Sequence, residues 1–523
     1  MMKLSGFANV FWTLAVVLAG VFYPRLMILG DFPHMDEGLS VFLGELCAEA
    51  FSGGGQLPLM HGLPLEALLL CWTSFLPGFT VIWLRLCDLL FACVAGWLLC
   101  RIYQEECGNA ATGLALALLV LCPMNYPGVI DAGYKNAIPP AFCFLFGAFL
   151  LTRNNPDPKS IRWFFCGLCL CAAVLFREPF VVFALLGCVV VMVCGGGPAT
   201  LRYIAGGIAG LVPILLLLFW IQGIDALNEI YEAYIDRGLL YAQETGRIWH
   251  NFQSGIYKAL HNFTGPIAAL LGVGALFVYR RLKFGVRIVS AKRGLFWLAV
   301  FLLPLLEPMT KIGFLYHFSV CLPGLGGLAA WLVQEMSSCQ RKKTGAGIVV
   351  LVSLCVCISL AGLPSPANAP MTLQMIGRFP EQGWPDEWAE KSNPLMAARE
   401  IRKALPPGGT LSASAFSFFI YPAAGAMPPK TERHGAGYGL SDLSRYYVKL
   451  GMNSEKLASE LKANPPDVIA IGKAFDVHER DYAASLSDAV KKSGLYRLVS
   501  VVNPDAARHY GWLAYQIYRK KTG

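Results

Sequence analysis

The sequence predicts a polytopic α-helical membrane protein followed by a small α/β domain, and three observations carry that reading. The 523 residues are 55% hydrophobic and only 15% charged, whereas soluble domains carry about 25% charged residues. The charges are unevenly spread, with 23 Lys/Arg and 19 Asp/Glu in residues 1–363 against 20 and 15 in residues 364–523. Apolar runs of about 17–25 residues, the length a bilayer requires, recur through the first part and cease near residue 363. A single soluble globule is excluded.

The expected spans are 8–29, 80–102, 109–128, 136–152, 161–176, 179–195, 203–221, 264–280, 294–307, 313–336 and 345–363. The first is read as a retained anchor, because it is long, has only Lys3 ahead of it and lacks a small-residue cleavage site. Placing the N-terminus inside collects Lys3, Arg101, Arg153, Lys159, Arg162, Arg202, Arg280, Arg281, Lys283, Arg287, Lys292, Arg293, Arg341, Lys342 and Lys343 in inner loops. The loop 31–80 has no Lys or Arg and carries Asp31, Asp36, Glu37, Glu45, Glu49 and Glu66, so it lies outside. An odd number of spans then puts residues 364–523 on that outer face. The net charge of +9 is thus a topology signal, and no nucleic-acid partner is expected.

Between the first two spans, Leu39, Phe42, Leu43, Leu46 and Ala50 recur at helical spacing before the Gly53-Gly54-Gly55 break. The apolar stretch from Leu63 to Leu76 is short and contains Glu66, which favours an interfacial helix over a span. A second large outer loop, 222–263, is rich in Tyr, Trp and charge and reads as further interfacial helices. The seventeen cysteines lie mainly in apolar stretches, with none after residue 363, and serve as small core residues. Cys166, Cys169 and Cys171 sit mid-span, unlike a structural zinc module.

In the tail, helices are expected over Pro394–Leu405, Ser454–Ala463 with Ser454 as its cap, and His478–Ser493. Strands are expected over Thr410–Ala415, Asp467–Gly472, Tyr496–Val502 and Trp512–Arg519. No Gly-rich phosphate loop follows any of these strands, which argues against a nucleotide site.

Asp36 and Glu37 meet the outer membrane surface directly after the first span. By spacing alone they are either the acidic first turn of a helix beginning near Gly38 or carboxylates able to take a proton from an acceptor group. Arg25, Arg85, Lys135, Arg177 and Lys311 stand at outer boundaries. Each alone either snorkels or pairs locally, but several on one face opposite an acidic pair describe a pocket for a lipid phosphate beside a base. His34, His61 and His317 add imidazoles on that side, too far apart in sequence to indicate a metal site.

The order of short motifs resembles the GT-C superfamily of polyprenyl-phosphate-sugar glycosyltransferases, family 39 type, which includes protein O-mannosyltransferases and lipid A aminoarabinose transferases. The motifs are Asp36-Glu37 after the first span, the Pro-containing segment His61-Gly-Leu-Pro-Leu-Glu-Ala-Leu-Leu-Leu70, Arg85-Leu86 opening the next span, and Cys122-Pro-Met-Asn-Tyr126 leading to Asp131. They continue with Glu307-Pro-Met-Thr-Lys-Ile-Gly-Phe-Leu-Tyr-His317 before a Pro-containing span. The resemblance covers most of residues 1–363. It implies a GT-C-like membrane domain with about eleven transmembrane helices, and an extracytoplasmic α/β domain over 364–523 like that of many bacterial members. It also implies residence in the bacterial inner membrane.

The implied roles are base for Asp36 with Glu37 beside it, and contact with the donor phosphate for Lys311, Tyr316 and His317. Arg85, Arg177 and Lys135 are weaker candidates for the same contact, and His34, His61 and Asp131 for substrate contact. One departure is His61-Gly62, where family members often carry a Lys before the Pro. The implied reaction moves a sugar from a polyprenyl phosphate to an extracytoplasmic acceptor with inversion and no cofactor; Asp36 and Glu37 could hold a divalent cation, but protein cations are favoured for the leaving group. A transporter of lipid-linked sugars and a non-catalytic envelope assembly protein are the competing readings.

Overall fold

Helices follow the apolar runs throughout the first part of the chain. The structure, a computed structural model, describes residues 6–29, 35–53, 57, 65–76, 80–130, 137–152, 157–231, 248–284, 288, 290–310, 315–337, 344–364, 393–414, 420–427, 453–472, 477–502 and 515–521. These residues belong to two compact units, one of 1–31, 85–214 and 241–377 and the other of 32–84, 215–240 and 378–523. Residues 32–84 therefore group with the tail.

The helices are α1 (Gly6–Met27), α2 (Met35–Phe51), α3 (Leu65–Cys71), α4 (Thr80–Cys107), α5 (Ala110–Met124), α6 (Ile138–Thr152), α7 (Arg162–Phe176) and α8 (Val181–Gln222). They continue with α9 (Ile248–Asn262), α10 (Thr264–Phe284), α11 (Ala291–Leu302) and α12 (Leu306–Thr310), then α13 (Leu315–Ser337) and α14 (Thr344–Leu360). Each expected span overlaps a helix among the described residues, and 294–307 takes in α11, a 3-10 turn at Leu303–Leu305 and the start of α12. By length and composition, five described helices can cross a membrane, and α5, α6 and α7 are shorter apolar helices.

The two spans expected at 179–195 and 203–221 are both in α8, which breaks at Gly196 (φ 68°, ψ −166°). Only a residue without Cβ takes that conformation cheaply, so the arms fold back on each other. The Tyr203 hydroxyl donates to Ala184 O at 2.6 Å across the bend. Small residues let the backbones meet, as is usual between membrane helices. A Cβ on Gly206 would stand 1.9 Å from Phe164 O, and one on Gly167 would stand 1.9 Å from Tyr203 O.

α13 is the most enclosed of the five long spans. Gly324 and Gly327 admit Phe301 and Trp297 of α11, and Gly326 admits Tyr103 of α4. The Tyr103 hydroxyl donates to Pro323 O at 2.7 Å. This packing fixes the start of α13, where Tyr316, His317 and Ser319 sit.

In α1, residues Leu18–Phe22 form a π-helical turn. A wide turn frees a carbonyl for an outside donor, and Asn125 Nδ2 donates to Gly20 O at 3.1 Å. The next turn carries Arg25.

The tail contains α15 (Asn393–Ala404), β1 (Leu411–Ser414), α16 (Ile420–Ala424), α17 (Ser454–Ala463), β2 (Val468–Gly472), α18 (Val477–Ser493), β3 (Tyr496–Val502) and β4 (Tyr515–Lys520). The strands form one sheet in the order β1-β2-β4-β3. β1 runs parallel to β2 with Leu411 opposite Val468. β4 is antiparallel to both β2 and β3, and an irregularity falls between Leu498 and Ser500. α17 and α18 bury Leu457, Leu461, Leu486 and Val490 against Ile469 and Ile471. The cap of α17 is a correction: Asn453, not Ser454, accepts from the backbone N–H groups of Glu455 and Lys456 at 3.1 and 3.0 Å. Ser454 instead accepts from Lys492 Nζ at 2.9 Å.

Candidate functional site

In the first unit, a polar network lies deep among apolar helices. Arg25 on α1 is paired with Asp88 on α4, and its Nε donates to Asn125 Oδ1 at 2.6 Å. Asn125 also donates to Leu121 O at 2.7 Å. All three side chains are buried. An unpaired charge at this depth would be costly, so the carboxylate holds the guanidinium in place.

Arg25, Asn125, Tyr316 and Ser319 line a cavity whose remaining walls are largely apolar, among them Leu121, Val129, Ile138, Phe142 and Phe146. That lining suits an apolar group with one polar end.

A second buried cluster adjoins Tyr316. Arg177 follows the C-terminus of α7, and its guanidinium lies 2.6 Å from Glu307 Oε1 of α12 and 5.6 Å from the centre of the Tyr316 ring. His317 Nε2 is 3.5 Å from the same carboxylate oxygen, and its ring meets that of Tyr316 edge-on with centres 4.2 Å apart. Glu307 thus faces one permanent cation and one that appears when the imidazole is protonated. The arrangement fixes Tyr316 at the cavity wall with positive charge behind it.

Arg85 has a visible structural role. Its guanidinium donates to Ile28 O at 3.3 Å and Leu29 O at 2.5 Å, satisfying carbonyls at the end of α1. Of the expected phosphate contacts, the structure brings Arg177, Tyr316 and His317 together and places Arg85 at this helix end. Lys135, Lys311, His34, His61 and Asp131 lie outside the described residues.

In the second unit, α2 begins at Met35, before the Gly38 start expected from sequence, so Asp36 and Glu37 fall in its first turn. Glu37 is fully buried, which removes the reading of a solvated helix start for that residue. The side chain of Asp36 lies outside the described residues. Ser40, one turn after Glu37, donates to the buried Glu66 of α3 at 3.1 Å. Further along α2, burial raises the Glu45 carboxyl to about 7. A Cβ on Gly44 would stand 2.9 Å from Leu70 O, so α2 and α3 pack backbone to backbone.

Sequence reasoning did not single out Asp88, Asn125 or Glu307 as site residues. Asp88 carried a usable signal, since an acid inside an apolar span calls for a partner. Glu307 stood in a noted motif, but its partner Arg177 is 130 residues away. Among the described residues, no group of three or more His, Cys, Asp or Glu is placed to hold a metal ion.

No protein-family model matches the sequence, and no curated protein does. Among the solved structures that match, two do so along nearly the whole chain. Crystal structures of ArnT from Cupriavidus metallidurans, in the apo state and bound to undecaprenyl phosphate, share 14% and 12% identity with it, at TM-scores of 0.57 and 0.56. Each comparison covers 98% of both chains. At such identity the likeness is one of fold, and the chain has the fold seen in ArnT, a polytopic helical membrane protein with a small C-terminal sheet.

Proposed function

We propose that the chain is a membrane glycosyltransferase that takes a sugar from a polyprenyl phosphate and transfers it to an acceptor outside the cytoplasm. The observation that carries this reading is the apolar cavity of the first unit, with Arg25, Asn125, Tyr316 and Ser319 as its polar groups. It occurs in a fold shared with an ArnT structure bound to undecaprenyl phosphate. An isoprenoid chain suits the Phe- and Ile-lined wall, and a phosphate suits a site with cations nearby.

In this proposal Asp36 takes the proton of the acceptor hydroxyl as its oxygen attacks the anomeric carbon. The bond from that carbon to the phosphate oxygen breaks, its electron pair goes to the phosphate, and configuration inverts. Positive side chains, Lys311 among them, stabilise the charge that builds on the leaving group. Glu37, being buried, orients its neighbour. The charge asymmetry of the loops supports an acceptor outside the cytoplasm.

The test uses purified protein with labelled polyprenyl-phosphate sugars, following lipid phosphate release together with acceptor modification. Asp36→Asn should lower turnover by about 100-fold or more. Undiminished transfer by both Asp36→Asn and Glu37→Gln would remove the assignment.

A further inference from the structure

We propose that Tyr421 is a positioning residue for the acid-bearing helix α2, so that the tail sets the placement of Asp36 and Glu37. The catalytic consequence rests on the glycosyltransferase reading, whereas the mechanical coupling rests on contacts inside the second compact unit. The Tyr421 ring on α16 stacks on Phe42 of α2 with centres 4.7 Å apart and planes 20° from parallel. Both side chains are buried. The Tyr421 hydroxyl accepts from the backbone N–H of Ala413 in β1 at 3.1 Å, and β1 is itself paired along β2. One side chain therefore links the parallel pair of the tail sheet to α2.

The stack suits this task because a flat aromatic pair restrains tilt as well as distance. Phe42 is six residues beyond Asp36, about 9 Å along a helix, and a helix that short moves as a rod. Gly44, whose approach to Leu70 was described above, is two residues from Phe42 and so points about 200° away around the helix. α2 is held on opposite faces, by α3 on one side and by Tyr421 on the other. Loss of the Tyr421 contact leaves α2 free to rock about its contact with α3, and the acids at its first turn move with it.

The experiment pairs steady-state kinetics with hydrogen exchange on the full chain in detergent. Tyr421→Ala should speed exchange of α2 amides around residues 39–46 by about tenfold or more while β2 amides keep their protection. In the same variant kcat should fall by about tenfold or more, as a misplaced catalytic group requires, with KM for the polyprenyl-phosphate sugar unchanged. Tyr421→Phe keeps the stack and should retain most of the rate. If Tyr421→Ala also strips protection from β2, Phe42→Leu, which leaves the tail core intact, must show the same α2 exchange and the same kinetic split. Unchanged α2 exchange, or an unchanged kcat alongside loosened α2, overturns the proposal. If the parent protein transfers no sugar, the glycosyltransferase reading fails, and the α2 exchange result decides the coupling by itself.

Discussion

Replacing Glu307 by Gln removes the carboxylate that lies 2.6 Å from the Arg177 guanidinium while keeping side-chain size and an acceptor oxygen. At that separation, an effective dielectric of about 20 gives an attraction of about 6 kcal/mol. Desolvating the two ions costs several kcal/mol each, so the intact pair contributes little net stability. Breaking it is another matter, because Arg177 and Glu307 are each less than a tenth exposed and the arginine charge would stay in the protein. The expected loss is about 3–5 kcal/mol. Thermal unfolding in detergent should show a clear fall in transition temperature for Glu307→Gln. The double variant Arg177→Met, Glu307→Leu removes both charges and should recover most of that loss. If the single variant unfolds like the parent, or the double variant falls as far as the single, the charge argument is wrong.

Two further expectations follow from packing and burial. Gly206→Ala should destabilise by about 1–3 kcal/mol or more, as overpacking does, because its Cβ would meet Phe164 O at 1.9 Å; Gly207→Ala, with nothing within 4 Å, should be tolerated, and folded yield after solubilisation separates the two. Glu45 has its carboxyl raised from the ordinary 4.5 to about 7 in the folded chain, so the fold binds that proton more tightly than the unfolded chain. Its contribution to stability is present below pH 4.5 and is lost as pH rises through about 7. Glu45→Gln should flatten that part of the stability profile, measured as transition temperature between pH 5 and 8. An unaltered slope would show that the group is solvated.

Most of the helices and strands were legible because each depends on a local pattern. α4, α5, α6 and α7 lie on their expected apolar runs, and the tail strand β3 begins and ends where the sequence places it. The break in α8 was also foreshadowed, by the polar and small residues between its two apolar halves. The cap of α17 was misread because Asn453 and Ser454 are both good capping residues, and only backbone geometry selects Asn453. The candidate site was less legible. Five cations were expected as a class at outer boundaries, yet Arg85 has helix-end carbonyls as partners, Arg25 has Asp88 and Asn125, and Arg177 has Glu307. Similar charges at similar depths thus serve different ends.

From its sequence alone this protein could be read as a polytopic helical membrane protein with a small α/β region at its end, and the charged loops gave an expected orientation. Those properties are sums over neighbouring residues: the transfer free energy of a span, the period of a helix, the sign of a loop. Which carboxylate neutralises which arginine, and that Tyr421 rests on Phe42, was decided by tertiary packing. Such pairs join residues tens to hundreds of positions apart, and a buried charge or ring takes whichever partner the meeting helices bring within a few ångströms.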